Sequence, residues 1–357
     1  MTTLLPMPRW RNAGTAFGAT SNGQPRSLAD AYGRVATDLR VSLTDRCNLR
    51  CTYCMPAEGL EWMPAAEVLT DAEILRLVGI GVRMLGITTV RLTGGEPLLR
   101  KNLETLVAGL AQLDPRPSLA LTTNGIGLAK RANALAAAGL DRINISLDTL
   151  DPATFSRLSR RPRLPDVLAG VAAARRAGLE PVKINTVLMR GINDHEAYDL
   201  LCWAMAENVQ LRFIEQMPLD AQHAWQRNEM ITADEIRTRL SRHVRLVEDP
   251  DQAISRGSAP AELFRVAGTD YSVGIISAVS KPFCGSCDRV RLTSDGQLRN
   301  CLFSRTESDL RTPLRAGASD DELADQWVAA VAGKLPGHGI NDASFLQPQR
   351  PMSAIGG

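Results

Sequence analysis

The sequence predicts an α/β protein built on an incomplete, three-quarter parallel β/α barrel. Between Asp38 and Met217, six apolar runs of strand length alternate with segments of helical pattern. Short connections between such units are typical of a parallel sheet with helices outside it. A complete eight-unit barrel needs about 200 to 250 residues, and this stretch is shorter. We therefore expect an open barrel whose chemistry lies at the carboxyl ends of its strands.

The six predicted strands are 39–43, 88–92, 118–122, 142–146, 182–187 and 211–215. Unusual polar, glycine or cysteine residues stand at or near the ends of most of these runs, whereas Lys183 lies inside its run. A capping box of Thr70 and Glu73 opens the helix that follows the first strand and runs through Leu85. A second capping box, Thr232 with Glu235, predicts a short helix beyond the barrel.

The chain divides into four predicted regions. Residues 1–30 lack a hydrophobic period and are expected to form a disordered extension, and 31–217 form the partial barrel. Residues 218–345 are predicted to form a small α+β region. Its alternating runs, 263–266 and 271–278, are too few for a large domain, so we expect a small sheet that covers the open side of the barrel. Residues 346–357 form a tail that ends in two glycines.

Composition excludes several classes of protein. The chain has 357 residues, a net charge of +2 and 44% hydrophobic residues, so neither a nucleic acid nor an anionic membrane is indicated as a partner. No apolar run is long enough to span a membrane, and no secretory core stands at the N-terminus. Seven cysteines without an export signal argue against a disulfide framework, and we expect a cytoplasmic protein. Cys202 lies in an apolar helical pattern and is predicted to be a core residue.

Three cysteines follow the first strand in a tight loop. Cys47, Cys51 and Cys54 are separated by three and then two residues. Zinc sites usually take four protein ligands, whereas three soft thiolates suit an iron–sulfur cube with one iron left open. A structural zinc and a chance group of buried thiols remain alternative interpretations.

A second group of cysteines lies near the C-terminus. Cys284 and Cys287 are followed by Cys301, which a predicted hairpin (289–293 and 298–302) returns to the pair. Again there is no fourth ligand nearby, since the four histidines are distant in sequence, so a zinc completed by a remote residue stays open. Arg289 and Arg291 project to one face of their strand, unless that strand is simply a solvated edge.

These motifs together resemble a known family. The first cysteine spacing and the Gly94-Gly95-Glu96 stretch are similar to those of the radical S-adenosylmethionine (SAM) enzymes. Cys-x2-Cys-x13-Cys, the Cys287-x-Arg289-x-Arg291 motif and the terminal Gly-Gly further resemble the GTP 3′,8-cyclase family of molybdenum cofactor biosynthesis. The resemblance covers 28–357. One position departs from it, because Thr89 stands where the family often has a lysine directed at the triphosphate.

The resemblance implies an activity, cofactors and partners. In this family a 5′-deoxyadenosyl radical from SAM takes hydrogen from C3′ of GTP, and the ribose closes onto C8 of guanine to give 3′,8-cyclo-7,8-dihydro-GTP. It implies SAM and two 4Fe–4S clusters as cofactors, the second binding the guanine. It further implies an electron donor such as flavodoxin or ferredoxin, the next enzyme (cyclic pyranopterin monophosphate synthase) and a homodimer as partners.

The resemblance also assigns site residues. The ligands of the first cluster would be Cys47, Cys51 and Cys54, and those of the second Cys284, Cys287 and Cys301. SAM would be held by Tyr53, Gly95, Ser146 and Met217. GTP would be contacted by Arg40, Arg91, Thr122, Lys183, Arg289, Val290 and Arg291. The residues assigned to catalysis are Arg289, Arg291, Gly356 and Gly357.

Two other classes of protein remain as alternatives at this point. A radical SAM enzyme that acts on a peptide would also carry an auxiliary cluster, although it would usually have more C-terminal cysteines. A zinc-stabilised binding protein would need none of the SAM-side residues.

Overall fold

A computed structural model describes residues 26–249 and 256–356. Most of the predicted disordered extension and Gly357 therefore lie outside the described residues. The strands are β1 Asp38–Ser42, β2 Thr89–Thr93, β3 Ser118–Thr123, β4 Arg142–Ser146, β5 Val182–Val187, β6 Gln210–Ile214, β7 Leu246–Glu248, β8 Glu262–Val266, β9 Ser272–Ile276, β10 Arg289–Leu292, β11 Gln297–Arg299 and β12 Ser308–Asp309. The six predicted barrel strands are present, each within a residue or two of its expected position.

The helices lie between the strands and along the tail. They are α1 Asp71–Leu85, α2 Leu103–Ala111, α3 Ala132–Ala137, α4 Pro152–Ser159, α5 Leu164–Arg176, α6 Ala197–Ala206, α7 Ala233–Ser241, α8 Arg311–Arg315, α9 Asp320–Ala332 and α10 Met352–Ile355. Both predicted capping boxes are present, at α1 and α7, and each N-cap stabilises its helix by about 0.5 to 2 kcal/mol. None of these helices has the length and apolar character needed to cross a membrane.

The strands form one open sheet. Its order is β12-β11-β10-β1-β2-β3-β4-β5-β6-β9-β8-β7, and every pairing from β10 across to β9 is parallel. Since β12 and β7 stand at opposite ends of this order, the sheet does not close into a complete barrel. The predicted fold class, an incomplete parallel barrel, is confirmed.

The strands of the C-terminal region differ from the expectation of a separate small sheet. β10 pairs with β1 and β9 pairs with β6, so the region extends both edges of the barrel's own sheet. An open partial barrel would leave unpaired N–H and C=O groups along both edges. The C-terminal strands satisfy these groups while they widen the wall.

The side chains of a barrel strand point alternately into the hydrophobic core and toward the inner face of the barrel. On β1, Leu39 and Val41 are fully buried in the hydrophobic core that packs the helices against the sheet. Arg40 between them lines a cavity on the inner side. Because strand side chains alternate in direction, the inner face can be polar while the outer face builds the core.

The folded part of the chain begins before residue 31, where the predicted disordered extension was expected to end. Leu28 is fully buried in the core. Arg34 forms a buried ion pair with Asp30 and donates hydrogen bonds to the carbonyl oxygens of Cys284 (2.8 Å) and Pro336 (2.9 Å). This N-terminal segment therefore supports the second cysteine group from outside the barrel.

The prediction that Cys202 is a core residue is wrong, because its side chain is exposed. Helix α6 buries Ala197, Leu200, Leu201 and Ala204. These residues lie three and four apart and define one face, and Cys202 projects from the opposite side. An apolar helical pattern does not by itself bury every residue, because only one stripe of the helix faces the core.

Candidate active site

The inner face of the sheet surrounds one cavity of about 930 Å³, at the upper end of the range of about 300 to 1,000 Å³ for small-molecule sites. All six cysteines of the two groups line it. The other assigned residues that line it are Arg40, Tyr53, Arg91, Gly95, Thr122, Ser146, Lys183, Met217, Arg289 and Arg291. The structure thus brings both cysteine groups and most of the assigned SAM and GTP contacts together around one cavity.

The first cysteine loop (Cys47–Cys54) follows β1 and is anchored by the end of α4. The backbone N–H of Arg50 donates to the carbonyl oxygen of Ser159 (3.0 Å). Arg160 has a left-handed backbone with φ of 55°, and its guanidinium donates to the carbonyl oxygens of Arg50 and Met55, both at 3.0 Å. These bonds fix the loop at the carboxyl end of the first strand.

The thiols of this loop are held in a buried environment. Burial raises the pKa of Cys47 to about 11 and that of Cys54 to about 12. Burial, with the nearby carboxylate of Asp148, raises the pKa of Cys51 well above its usual value. Three thiolates here need a positively charged centre, since a bound metal deprotonates its thiol ligands.

The donors of this loop fit an iron–sulfur cluster by their type and number. Among the residues that the structure describes, no group of three or more His, Cys, Asp or Glu side chains is placed to hold one metal ion. A structural zinc usually takes four protein ligands, whereas cysteine thiolates are the usual ligands of iron–sulfur clusters. Three soft thiolates suit such a cluster.

The glycine pair after β2 packs against the first cysteine loop. The backbone N–H of Gly95 donates to the carbonyl oxygen of Thr44 (2.6 Å), and that of Glu96 donates to the carbonyl oxygen of Arg46 (2.7 Å). A Cβ added to Gly95 would lie 2.3 Å from the same Arg46 oxygen. The close approach that a glycine permits is thus made here to the protein's own loop.

We expect Gly95→Ala to lower the iron content of the purified protein, because the new methyl group must displace the cysteine loop. Overpacking of this kind costs about 1 to 3 kcal/mol, so the melting temperature should fall as well. Iron analysis and thermal unfolding test this, with Gly333→Ala as the control, since a Cβ there meets no atom closer than 3.7 Å. Wild-type iron content in Gly95→Ala would contradict the packing role.

The hydroxyl of Tyr53 is fixed by Asp148, a cavity residue that was not assigned from the sequence. The Tyr53 hydroxyl donates to Oδ2 of Asp148 (2.6 Å), and Oδ1 accepts from the backbone N–H of Val187 (2.9 Å). Burial raises the pKa of Asp148 to about 6, although these hydrogen bonds counteract it. Its position just after β4 is the signal that identifies it, since polar residues gather at strand ends in this fold.

Glu96 is a second buried carboxylate beside the cavity. It accepts hydrogen bonds from the hydroxyl of Thr123 (2.6 Å) and from the backbone N–H groups of Asn124 (2.7 Å) and Leu98 (2.9 Å). Burial raises its pKa to about 7. The side chain joins the carboxyl ends of β2 and β3 and keeps the cavity wall in place.

A belt of basic side chains crosses the inner face of the sheet. Strand register places Arg291, Arg40 and Arg91 side by side on β10, β1 and β2. Further along, Lys183 of β5 lies beside Asn144 of β4. The basic belt comprises Arg40, Arg91, Arg142, Lys183, Arg212, Arg289 and Arg291.

The charges of the basic belt are only partly compensated by the protein. The Nε atoms of Arg40, Arg91 and Arg212 are buried without a hydrogen-bond partner. Burial, together with the other cations, lowers the pKa of Arg91 to about 10 and that of Arg212 to about 9. Asp38 counteracts this repulsion only in part at Arg40 and Arg91. Buried, unpaired cations are costly, so the cavity is suited to a ligand with several negative charges.

Sequence reasoning missed two members of the belt, Arg142 and Arg212, although both stand at inward positions of an alternating strand. Arg142 also bears on the departure at Thr89. Its guanidinium donates to the hydroxyl of Ser118, and Ser118 is the register partner of Thr89. Arg142 therefore places a positive charge close to Thr89, the position at which the family often has a lysine.

The second cysteine group is built by the predicted hairpin, which is confirmed. β10 and β11 are antiparallel, and the turn between them includes Gly296 with φ of 78°. Cys301 follows two residues after β11, and with Cys284 and Cys287 it lines the cavity. The two cysteine groups thus share this cavity with the basic belt.

Cations surround the second group. Nε of Arg289 and Nζ of Lys334 each lie 3.4 Å from Sγ of Cys287. Burial by itself would raise the pKa of Cys287, but these two cations lower it to about 7. Burial raises the pKa of Cys284. Lys334 had no local sequence signal, because it reaches the site only through the tertiary fold.

Val290 does not line the cavity. Its side chain is fully buried in the hydrophobic core, because it alternates with Arg289 and Arg291, which face inward. A GTP contact from Val290 would therefore come from its main chain, and this assignment stays a prediction.

His338 lies closer to the second cysteine group than its sequence position suggested, since it lines the same cavity. Its Nδ1 accepts from the backbone N–H of Ile340 (3.2 Å), and its ring packs on Phe303 with centroids 4.7 Å apart. Burial lowers its pKa, and a hydrogen bond with the backbone of Ala278 counteracts this. The imidazole is thus engaged in the wall of the cavity.

The C-terminal tail returns to the barrel. Ile355 is buried in a second hydrophobic cluster, and Gly356 is buried with φ of 89°. Its carbonyl oxygen accepts a hydrogen bond from the guanidinium of Arg291. A Cβ on Gly356 would lie 2.5 Å from the hydroxyl oxygen of Thr93, at the end of β2. The tail is therefore packed at the carboxyl ends of the barrel strands.

Comparison with known proteins identifies the family. The Radical SAM superfamily model matches 41–204, and the Molybdenum Cofactor Synthesis C model matches 209–340. The GTP 3′,8-cyclase of Streptomyces coelicolor is 59% identical over 330 residues, which cover 92% of this chain and 96% of the relative. The chain belongs to the GTP 3′,8-cyclase family. The zinc-stabilised binding protein considered above is therefore excluded.

Other relatives of this cyclase chain agree. The GTP 3′,8-cyclase of Mycolicibacterium smegmatis is 58% identical over 346 residues, covering 95% of this chain and 94% of the relative. That of Corynebacterium glutamicum is 56% identical over 341 residues, covering 93% and 90%. These matches span nearly the whole of each protein, including both cysteine groups.

Solved structures support the fold of the cyclase chain. Streptococcus suis SuiB bound to S-adenosylmethionine has a TM-score of 0.58 at 14% identity, over 87% of this chain and 69% of SuiB. Native anSMEcpe with bound AdoMet has a TM-score of 0.55 at 14% identity, over 85% and 82%. At this identity the likeness shows the fold alone. It lends no weight to the peptide-modifying alternative, because the high-identity relatives are GTP 3′,8-cyclases.

Proposed function

We propose that this radical SAM enzyme, which converts GTP to 3′,8-cyclo-7,8-dihydro-GTP in the first step of molybdenum cofactor biosynthesis, binds two 4Fe–4S clusters at one cavity. The ligands would be Cys47, Cys51 and Cys54 for the first and Cys284, Cys287 and Cys301 for the second. The observation that carries the proposal is that both cysteine groups line the same cavity as the basic belt. A nucleotide held by the belt would then have access to both groups.

The first cysteine group forms the SAM side of the proposed site. When bound, its cluster supplies the electron for reductive cleavage of SAM, as in the radical SAM superfamily. Tyr53, Gly95, Ser146 and Met217 would hold SAM. Asp148 orients the Tyr53 hydroxyl, and Gly95 allows the wall to pack without a side chain in the way.

The basic belt forms the GTP side. Arg40, Arg91 and Lys183 would bind the triphosphate through charge-assisted hydrogen bonds, which are about twice as strong as neutral ones, and Arg142 and Arg212 would add to them. Thr122 offers a hydroxyl on the neighbouring strand. Arg289 and Arg291 line the cavity beside the second cysteine group, where they would position the guanosine part. The unpaired Nε atoms of the belt support an anionic ligand here.

The decisive experiment is anaerobic reconstitution followed by incubation with SAM, dithionite and GTP. Two four-iron clusters predict about eight irons and eight sulfides per chain, and the cyclised nucleotide should form with 5′-deoxyadenosine. About four irons with normal product would disprove the second cluster. Zinc in place of iron at either group would overturn the proposed site.

The partners other than GTP and SAM stay predictions. We propose a one-electron donor such as flavodoxin or ferredoxin, and transfer of the product to cyclic pyranopterin monophosphate synthase. A homodimer and a cytoplasmic location are likewise predicted. Size-exclusion chromatography with light scattering tests the dimer, and replacement of dithionite by reduced flavodoxin tests the donor.

Lys183→Ala should weaken GTP binding by about tenfold or more while SAM binding stays close to wild type. A hydrogen bond to a charged group is worth about 1.5 to 3 kcal/mol, and about 1.4 kcal/mol corresponds to tenfold. Calorimetric titration of each ligand measures this. Lys281→Ala is the control, since Lys281 is exposed and paired with Asp234. Equal loss of both ligands in Lys183→Ala would indicate a general structural role.

The same lysine gives GTP binding a pH dependence. Burial, with the neighbouring Arg212, Arg142 and Arg91, lowers the pKa of Lys183 to about 8. The ammonium form attracts phosphate, so wild-type affinity should be steady below about pH 8 and fall as the pH rises above it. Lys183→Ala should lose this component of the pH profile. An identical alkaline decline in both proteins would contradict the assignment.

A further inference from the structure

Lys334 is a buried lysine outside the cavity and next to the second cysteine group. It is 5% exposed and follows α9, far from the cysteines in sequence. Its ammonium donates to the carbonyl oxygens of Cys287 (3.1 Å) and Arg289 (3.0 Å) and contacts Sγ of Cys287 at 3.4 Å. A lysine has three donors, so these contacts use all of them. Lys334 therefore has no donor left for a substrate.

The second cysteine group differs from the first in charge. Arg34 lies near Cys284, and Arg289 and Lys334 lie near Cys287. Cys301 lies near Arg291 and Arg299, which are both buried. Each thiol of this group therefore faces at least one cation.

The first cysteine group has mainly acidic neighbours. Glu96 lies near Cys47, although Arg50 offsets it there. Asp148 lies near Cys51, and Asp220 lies near Cys54. The two groups line one cavity in surroundings of opposite charge, and a difference of this kind affects an iron–sulfur cluster directly, because net charge and hydrogen bonds to the sulfurs set its reduction potential.

We propose that Lys334 raises the reduction potential of the second cluster and fixes Arg289 beside it, through its contacts with the Cys287 sulfur and with the carbonyl oxygens of Cys287 and Arg289. The inference rests on the proposed second cluster. A reduced cluster carries one more negative charge than an oxidised one, so a cation at a ligand sulfur favours the reduced state. Residues around the first ligands tune metal sites in this way. Lys334 is thus a positioning residue that acts through Cys287 and Arg289.

Lys334→Met removes the charge and nearly keeps the side-chain length. The test is a reductive titration followed by electron paramagnetic resonance. The equilibrium between the reduced and oxidised forms of the second cluster should shift about tenfold toward the oxidised form, which corresponds to a reduction potential 59 mV lower. The first cluster serves as the reference in the same sample and should not move. Lys281→Met is the matched control, because Lys281 lies on the loop before Cys284 and pairs with Asp234 instead of a cysteine.

Two further variants separate tuning from folding. Lys334→Arg keeps the charge, and its equilibrium should stay within about threefold of wild type, whereas Lys334→Gln keeps a donor without charge and should behave like Lys334→Met. An unchanged equilibrium in both uncharged variants, or loss of the second cluster from both, would overturn the tuning role. An iron count taken first identifies a different failure, since about four irons in the wild type would refute the proposed second cluster itself.

Discussion

Serine in place of Cys47, Cys51 or Cys54 is expected to reduce the reductive cleavage of SAM to background. The three thiolates are the whole protein ligand set in the proposed site, and a hydroxyl is a poor soft ligand. With SAM and dithionite, 5′-deoxyadenosine measured by chromatography should be absent. This is the largest effect that we expect from any single substitution.

Serine at Cys284, Cys287 or Cys301 should give a different result. Some uncoupled cleavage to 5′-deoxyadenosine should remain, while the cyclised nucleotide should not form, because the proposed second cluster recognises the substrate. Cys202→Ser is the matched control, since Cys202 is exposed on α6 and should leave both products unchanged. A Cys301→Ser protein that retains neither metal nor fold would instead show a structural role for the second group.

Substitution or removal of the terminal glycines should lower cyclised product by about a hundredfold, the scale on which a misplacement of about 1 Å acts. Gly356 has φ of 89°, and a Cβ there would meet the Thr93 hydroxyl oxygen at 2.5 Å and Cβ of Ser42 at 3.0 Å. Its carbonyl oxygen also accepts a hydrogen bond from Arg291. In Gly356→Ala, or after deletion of 356–357, Arg291 would lose its position, whereas iron content and SAM cleavage should stay near wild type.

The control for this prediction is Gly268→Ala. Gly268 has a similar φ of 81° with no atom within 4 Å of an added Cβ, so it tests the backbone strain without the clash. Its cyclisation rate should match the wild type. If the truncated enzyme turned over GTP at the wild-type rate, the tail would be an ordinary frayed end.

Local pattern was sufficient to predict most of the barrel. The strands, both capping boxes and the C-terminal hairpin all depend on residues that are near one another in sequence, and they were placed correctly. The same alternation contained Arg142 and Arg212, which could have been assigned as inward-facing residues. It also places the Val290 side chain in the core, on the face opposite to Arg289 and Arg291.

Non-local contacts could not be predicted in this way. The pairing of β10 with β1 and of β9 with β6 depends on which strand edges remain open, and no periodicity encodes that. The contact of Arg34 with Cys284 joins segments from the two ends of the chain, and that of Lys334 with Cys287 joins residues 47 positions apart. Their role is visible only when the tertiary structure brings these segments together.

The sheet topology has a consequence for the order in which the molecule assembles. Arg40 on the first strand pairs with Arg291, and closure of so long a loop is entropically costly and slow. A chain synthesised only as far as Met217 would have the first cysteine loop but two unpaired strand edges, which invite association with other chains. The wall around that loop is completed only when the last quarter of the chain arrives. Synthesis therefore leaves an interval in which the first cysteine loop is present but the strands that complete the cavity beside it are not.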